Sequence, residues 1–104
     1  MFGLFRRKRD FQKLIAPIIP RLKSAGVKRL GFFGSFARGE DNFWSDVDVL
    51  VELGEDYHDY DNLWNVYEAL QSIFKGKKID LLTPQGLSPY IGPKILSTVK
   101  YVNL

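Results

Sequence analysis

The 104-residue sequence contains no cysteine, which excludes disulfides and any cysteine-based metal or redox centre. Its single histidine, His58, sits in the acidic turn GEDYHDYD with no second nitrogen ligand beside it. That pattern reads as an exposed structural residue, not a metal site or general base. No apolar run approaches the roughly 20 residues that span a bilayer. The N-terminus MFGLFRRKRD lacks the long apolar stretch of a signal peptide, so a cytoplasmic protein is expected. Internal repeats, linkers and low-complexity tracts are absent as well. The net charge is only +3, too small an excess to predict the broad basic groove of a nucleic-acid enzyme, so direct nucleic-acid binding is not expected.

What is present is a foldable chain. Hydrophobic residues make up 45% and aromatics 14%, enough for one domain over residues 1–104 with one core. Residues 1–9 form a basic leader whose RRKR run reads as a frayed terminus, with a partner contact as the alternative. Basic residues also gather at Arg21/Lys23/Lys28/Arg29 and at Lys75/Lys77/Lys78, and acidic ones between Glu52 and Asp61. The surface is therefore charge-segregated.

The hydrophobic spacing predicts a helix from Asp10 to about Ala25, kinked or restarted at Pro17, because an interior proline removes a backbone bond. Val27–Phe33 reads as a strand, Ser35 to about Gly39 as a short helix capped by the serine, and Asp46–Leu53 as a valine-rich strand. Leu63, Val66, Tyr67, Leu70, Ile73 and Phe74 predict an amphipathic helix from about Tyr60 to Phe74. Lys78–Leu82 reads as a third strand, Ser88 or Pro89 as the start of a last helix, and Val99–Val102 as a final short strand or edge. Helices and strands alternate, which indicates an α/β (α+β) domain with a small mixed sheet.

The chemistry-bearing residues fall near Gly31–Val51. Side chains alternate along a strand, so Asp46 and Asp48 are expected to point the same way. Adjacent carboxylates repel, and both stay ionised most easily with a cation between them; hard cations such as Mg2+ prefer such oxygen ligands. A loop cap for Asp46 and a water-facing edge position for Asp48 are the bland alternative. Asp80, in KIDLLT, would join them if the strands end at one edge; three carboxylates can hold two metal ions. Otherwise Asp80 is an edge or salt-bridge residue. Gly34-Ser35 lies between a strand and a helix, where glycine lets a phosphate approach the backbone and Ser35 either donates to it or caps the helix. Arg38, three residues on, can clamp phosphate or pair with Glu40, Asp41 or a site carboxylate. Phe43 and Trp44 either stack on a base, touch a partner or pack under the loop. Tyr57, Tyr60 and Trp64 either border a partner surface or, by default, pack on the helix.

Together, Gly34-Ser35, ten intervening residues from Phe36 to Ser45, and Asp46-Val47-Asp48 resemble the signature of the nucleotidyltransferase superfamily that includes DNA polymerase beta. The string GSFARGE…SDVDVLV is similar to its minimal branch, the MntA-type antitoxins that accompany HEPN-domain toxins. The resemblance implies the nucleotidyltransferase fold, a small mixed sheet flanked by helices. It implies ATP as substrate with Mg2+, two ions in all, held by Asp46, Asp48 and Asp80. Asp80 would also accept the proton of the attacking hydroxyl, Gly34 and Ser35 would bind the triphosphate, and Arg38 matches the family's ARG string. The implied reaction moves AMP to a tyrosine hydroxyl of a HEPN-type toxin, which makes the chain the antitoxin of a type VII toxin–antitoxin pair. The alternatives are an antitoxin that acts by binding alone, and a nucleotidyltransferase directed at RNA or a small molecule.

Overall fold

A computed structural model describes residues 10–40, 45–90 and 92–104. The Asp10 side chain caps the first helix, α1 (Phe11–Ile15), by accepting from the Lys13 amide at 3.0 Å. Pro17 then forces a tighter turn over Ala16–Ile18, and the helix restarts as α2 (Ile19–Ser24) with Pro20 in its first turn, where no amide donor is needed. The sequence predicted this break. The interrupted helix still presents Phe11, Ile15, Ile18 and Leu22 on one buried stripe.

Gly26 (φ 80°) turns the chain into β1 (Val27–Phe33), which pairs antiparallel with β2 (Val47–Leu53). A short helix, α3 (Gly34–Arg38), leaves the end of β1. After β2, helix α4 (Tyr60–Ile73) opens with the Asp59 carboxylate accepting from the Asn62 amide at 2.8 Å. It crosses over to β3 (Ile79–Leu82), which lies parallel to β2. Helix α5 spans Gly92–Thr98, after the Ser88-Pro89 pair from which the sequence predicted it to start. Ser88 leads into it: its hydroxyl accepts from the Tyr90 amide at 3.1 Å and its carbonyl from the Gly92 amide at 2.7 Å, the two bonds of a serine helix cap. The last strand, β4 (Lys100–Val102), pairs antiparallel with β1, giving the sheet order β3-β2-β1-β4.

One sheet face carries the core. Leu30 and Phe32 of β1, Val47, Val49 and Val51 of β2, and Ile79 of β3 pack against α1, α2 and α4. Phe11 stacks on Phe32 at 4.6 Å between ring centroids, and Phe74 meets both Phe32 (5.8 Å) and Phe36 (5.4 Å) edge-on. Phe36 belongs to α3, so this aromatic cluster pins the turn that follows β1. Among the described residues no helix is long and apolar enough to cross a membrane.

Candidate active site

Three elements meet where β1 ends and β2 and β3 begin. Phe33, the last residue of β1, pairs with Asp48, and Asp48 pairs with Asp80 on its other side. Parallel register therefore sets two carboxylates on neighbouring strands directly side by side. Asp46 stands one residue before β2, outside the strand where alternation had put it. The Val47 amide donates to the Lys78 carbonyl at 2.9 Å and ties the β2 start to β3.

Gly34 has φ 76°, a left-handed conformation that glycine adopts without strain. A β-carbon at this position would overlap the Asp48 Oδ2 atom. The glycine thus serves the conformation of the turn and the close approach of the carboxylate together. Ser35 is half-buried in the first turn of α3. It is not the N-cap: that position belongs to Phe33, with no side-chain cap bond, because the helix starts one residue early at Gly34. The Ser35 carbonyl accepts from the amides of Gly39 and Glu40, the latter at 2.9 Å, closing the far end of the turn. Arg38 projects into solvent and donates from Nε to Glu40 at 3.2 Å, an exposed pair worth little by itself.

The electrostatics bind these groups into one unit. The Asp48 carboxyl is pushed up to about 6 from its ordinary 3.8, first by burial and then by the negative charges of Asp80 and Asp46. A hydrogen bond shared with Asp80 also favours the protonated form, and Arg38 opposes the shift. Two carboxylates in adjacent register cannot both ionise freely without a cation to offset them. Among the described residues no three His, Cys, Asp or Glu side chains close into a ready cage for an ion. The set is an open edge of oxygen donors with excess negative charge. That chemistry fits a hard divalent cation completed by oxygens of a phosphate ligand.

Lys78, which the sequence marks only as part of the basic cluster Lys75/Lys77/Lys78, is a neighbour of the site. Its Nζ lies 3.8 Å from Asp80 Oδ1. The available signal was its spacing: two residues before Asp80 at a strand start places it on the same face. His58 stays away from the site, exposed, with Nε2 3.0 Å from the Leu53 carbonyl. Phe43, Trp44, Asp41 and the RRKR leader lie outside the described residues.

The family model of the nucleotidyltransferase domain matches residues 13–102. The chain belongs to the nucleotidyltransferase domain family. This nucleotidyltransferase is 42% identical over 80 residues to a Methanocaldococcus jannaschii relative provisionally named a protein adenylyltransferase, covering 77% of this chain and 84% of that one. It is 35% identical over 77 residues to the protein adenylyltransferase MntA of Thermococcus cleftensis, covering 74% and 76%. Among solved structures, one provisionally described as a minimal nucleotidyltransferase superposes with a TM-score of 0.73 at 26% identity, over 86% of this chain and 90% of that chain. A toxin–antitoxin structure with AMP-PNP superposes with a TM-score of 0.64 at 22% identity, over 84% and 70%, a likeness of fold. The nucleotidyltransferase fold expected from the sequence is the fold observed.

Proposed function

We propose that this nucleotidyltransferase transfers AMP from ATP to a hydroxyl, a tyrosine, of a partner HEPN-type toxin and so acts as its antitoxin. The observation that carries the reading is the side-by-side pairing of Asp48 and Asp80 against the Gly34 turn. The similarity to the MntA adenylyltransferase of Thermococcus cleftensis supports a protein as the acceptor.

In this reading the Gly34–Ser35 turn receives the triphosphate, with backbone amides and the Ser35 hydroxyl as donors. Asp46, Asp48 and Asp80 would hold two Mg2+ ions, whose contribution is to offset the triphosphate charge and stabilise the developing oxyanions. The acceptor oxygen attacks the α-phosphorus, the bond to the β,γ-pyrophosphate breaks, and pyrophosphate departs with that electron pair. Asp80, on the edge strand beside Asp48, takes the hydroxyl proton, the role that the family resemblance implies for it. Arg38 offsets part of the upward push on the Asp48 carboxyl and would meet the triphosphate.

The test is a mixture of the purified protein, ATP, Mg2+ and the product of the adjacent gene, followed by the intact mass of each chain. Addition of AMP to the neighbour, lost in Asp46→Asn and in Asp48→Asn, is expected. Tight binding with no mass change would replace the catalytic reading by inhibition through contact.

A further inference from the structure

Helix α4 carries an aromatic face that the core does not use. Tyr60 is 89% exposed and Trp64 59% exposed, although helix packing is the default for such residues. Trp64 stacks on Tyr67 at 5.4 Å with 22° between the rings, which holds the indole flat at the surface. Leu63, Tyr67 and Leu81 rest on the core with one side. Their other sides line, with Tyr60, Asp61 and Trp64, an open cavity of about 450 Å³. A second cavity of about 310 Å³ shares Tyr60 and Leu63 and continues to His58 and Thr83. The two form one apolar groove between α4 and β3, and β3 is an edge strand, paired only with β2 among the described residues.

Charge selects the occupant. Residues 53–74 hold Glu55, Asp56, Asp59, Asp61 and Glu68 and no Lys or Arg, in a chain whose net charge is +3. An acidic rim repels phosphates, so nucleotides and nucleic acids are disfavoured there. It attracts Lys and Arg, and the exposed face of Trp64 adds a cation–π partner for them. Position selects it further. Leu81 in the groove follows Asp80 in the chain, and alternation sends their side chains to opposite faces of the edge strand. A protein lying across that edge fills the groove on one face and reaches the carboxylates on the other.

We propose that this groove docks the acceptor protein, through a segment whose apolar stripe is flanked by Lys and Arg. The proposal rests on the reading of the chain as a protein-directed transferase and adds the surface that the acceptor uses.

The experiment measures binding of the adjacent gene's product to wild type, Trp64→Ser and the double variant Asp61→Lys/Glu68→Lys, by interferometry at two salt concentrations. Transfer of AMP, Mg-ATP affinity and melting temperature are recorded in parallel. The expected result is about tenfold or greater weakening of partner binding in both variants, as for anchor residues elsewhere. The loss of salt sensitivity is confined to the charge-reversed variant. Mg-ATP affinity and melting stay at wild-type values. Variants that bind and modify the partner like wild type would overturn the docking surface while leaving the transferase reading intact. Partner binding without AMP transfer by wild type would end the transferase reading, and the groove then stands or falls by the binding arm. No wild-type binding overturns the groove. So does a self-associated wild type, seen by sedimentation, that becomes monomeric in Trp64→Ser, since the occupant is then a second copy.

Discussion

The Asp48 carboxylate occupies the space that a side chain on residue 34 would need. This one relationship links the turn, the strand and the charge of the site, because Gly34 at φ 76° can neither take a β-carbon without strain nor leave room for one. Gly34→Ala is therefore expected to lose about 1–3 kcal/mol of stability, a conformational term plus displacement of Asp48. Urea unfolding measures the loss. Mg-ATP affinity should fall at the same time, by more than the unfolded fraction explains.

Asp48 itself costs the fold stability. Its folded value of about 6 exceeds its ordinary 3.8, so the native state holds its proton more tightly than the unfolded chain. Stability then falls as pH rises from about 4 to about 6 and is flat above. The ceiling for a two-unit shift is about 3 kcal/mol, and solvent screening of a half-buried group lowers this to about 1 kcal/mol. Asp48→Asn should accordingly melt higher than wild type at pH 7–8, match it below about pH 4, and transfer no AMP. Calorimetry across that range checks the sign.

Mg-ATP should reverse the same penalty in the wild type. The expected result is a rise in melting temperature with Mg-ATP at pH 7.5 that EDTA removes, and that shrinks as pH falls below about 6 and Asp48 takes up a proton. Asp46→Asn, lying outside the strand, should leave the ligand-free melting temperature nearly unchanged and still abolish the Mg-dependent rise.

Phe36 tests whether the turn is held from behind. Its ring packs against Phe11 at 5.8 Å and Phe74 at 5.4 Å. Phe36→Ala should cost about 3–4 kcal/mol, within the usual range for a buried phenylalanine. Phe36→Leu should recover much of that stability, and nucleotide affinity should follow it, since Leu restores apolar support behind the turn.

The strands around the site were legible because their residues are emphatic. The bounds of β1 at Val27 and Phe33 follow from a glycine on each side, and the valines of β2 announce a strand buried on one face. The break at Pro17 was legible for a purely local reason, the missing amide. Ser35 was misplaced by one position, because capping preference says nothing about whether a preceding glycine can already turn the chain. The approach to α5 was legible at Ser88, whose hydroxyl and carbonyl accept from the Tyr90 and Gly92 amides as a helix cap does. Asp46 fell outside its strand because the first β2 residue to find a partner is Val47, opposite Ile79, and pairing is non-local. The exposure of Trp64 was equally hidden, since helical spacing gives a stripe but not its width. The neighbourhood of Asp48 and Asp80 was inferred only as a condition, strands ending at one edge, and it is the parallel register that meets the condition.

That register joins residues separated by the whole of α4. Asp48 and Asp80 become neighbours only after the crossover helix has docked and laid β3 beside β2. The closing of a long loop is a late and entropically unfavourable event in assembling such a sheet. Catalytic competence therefore depends on a long-range contact of the sheet, and a fragment that lacks β3 lacks one of the two paired carboxylates. Loss of the β2–β3 pairing and loss of the paired carboxylates would then coincide in a single step.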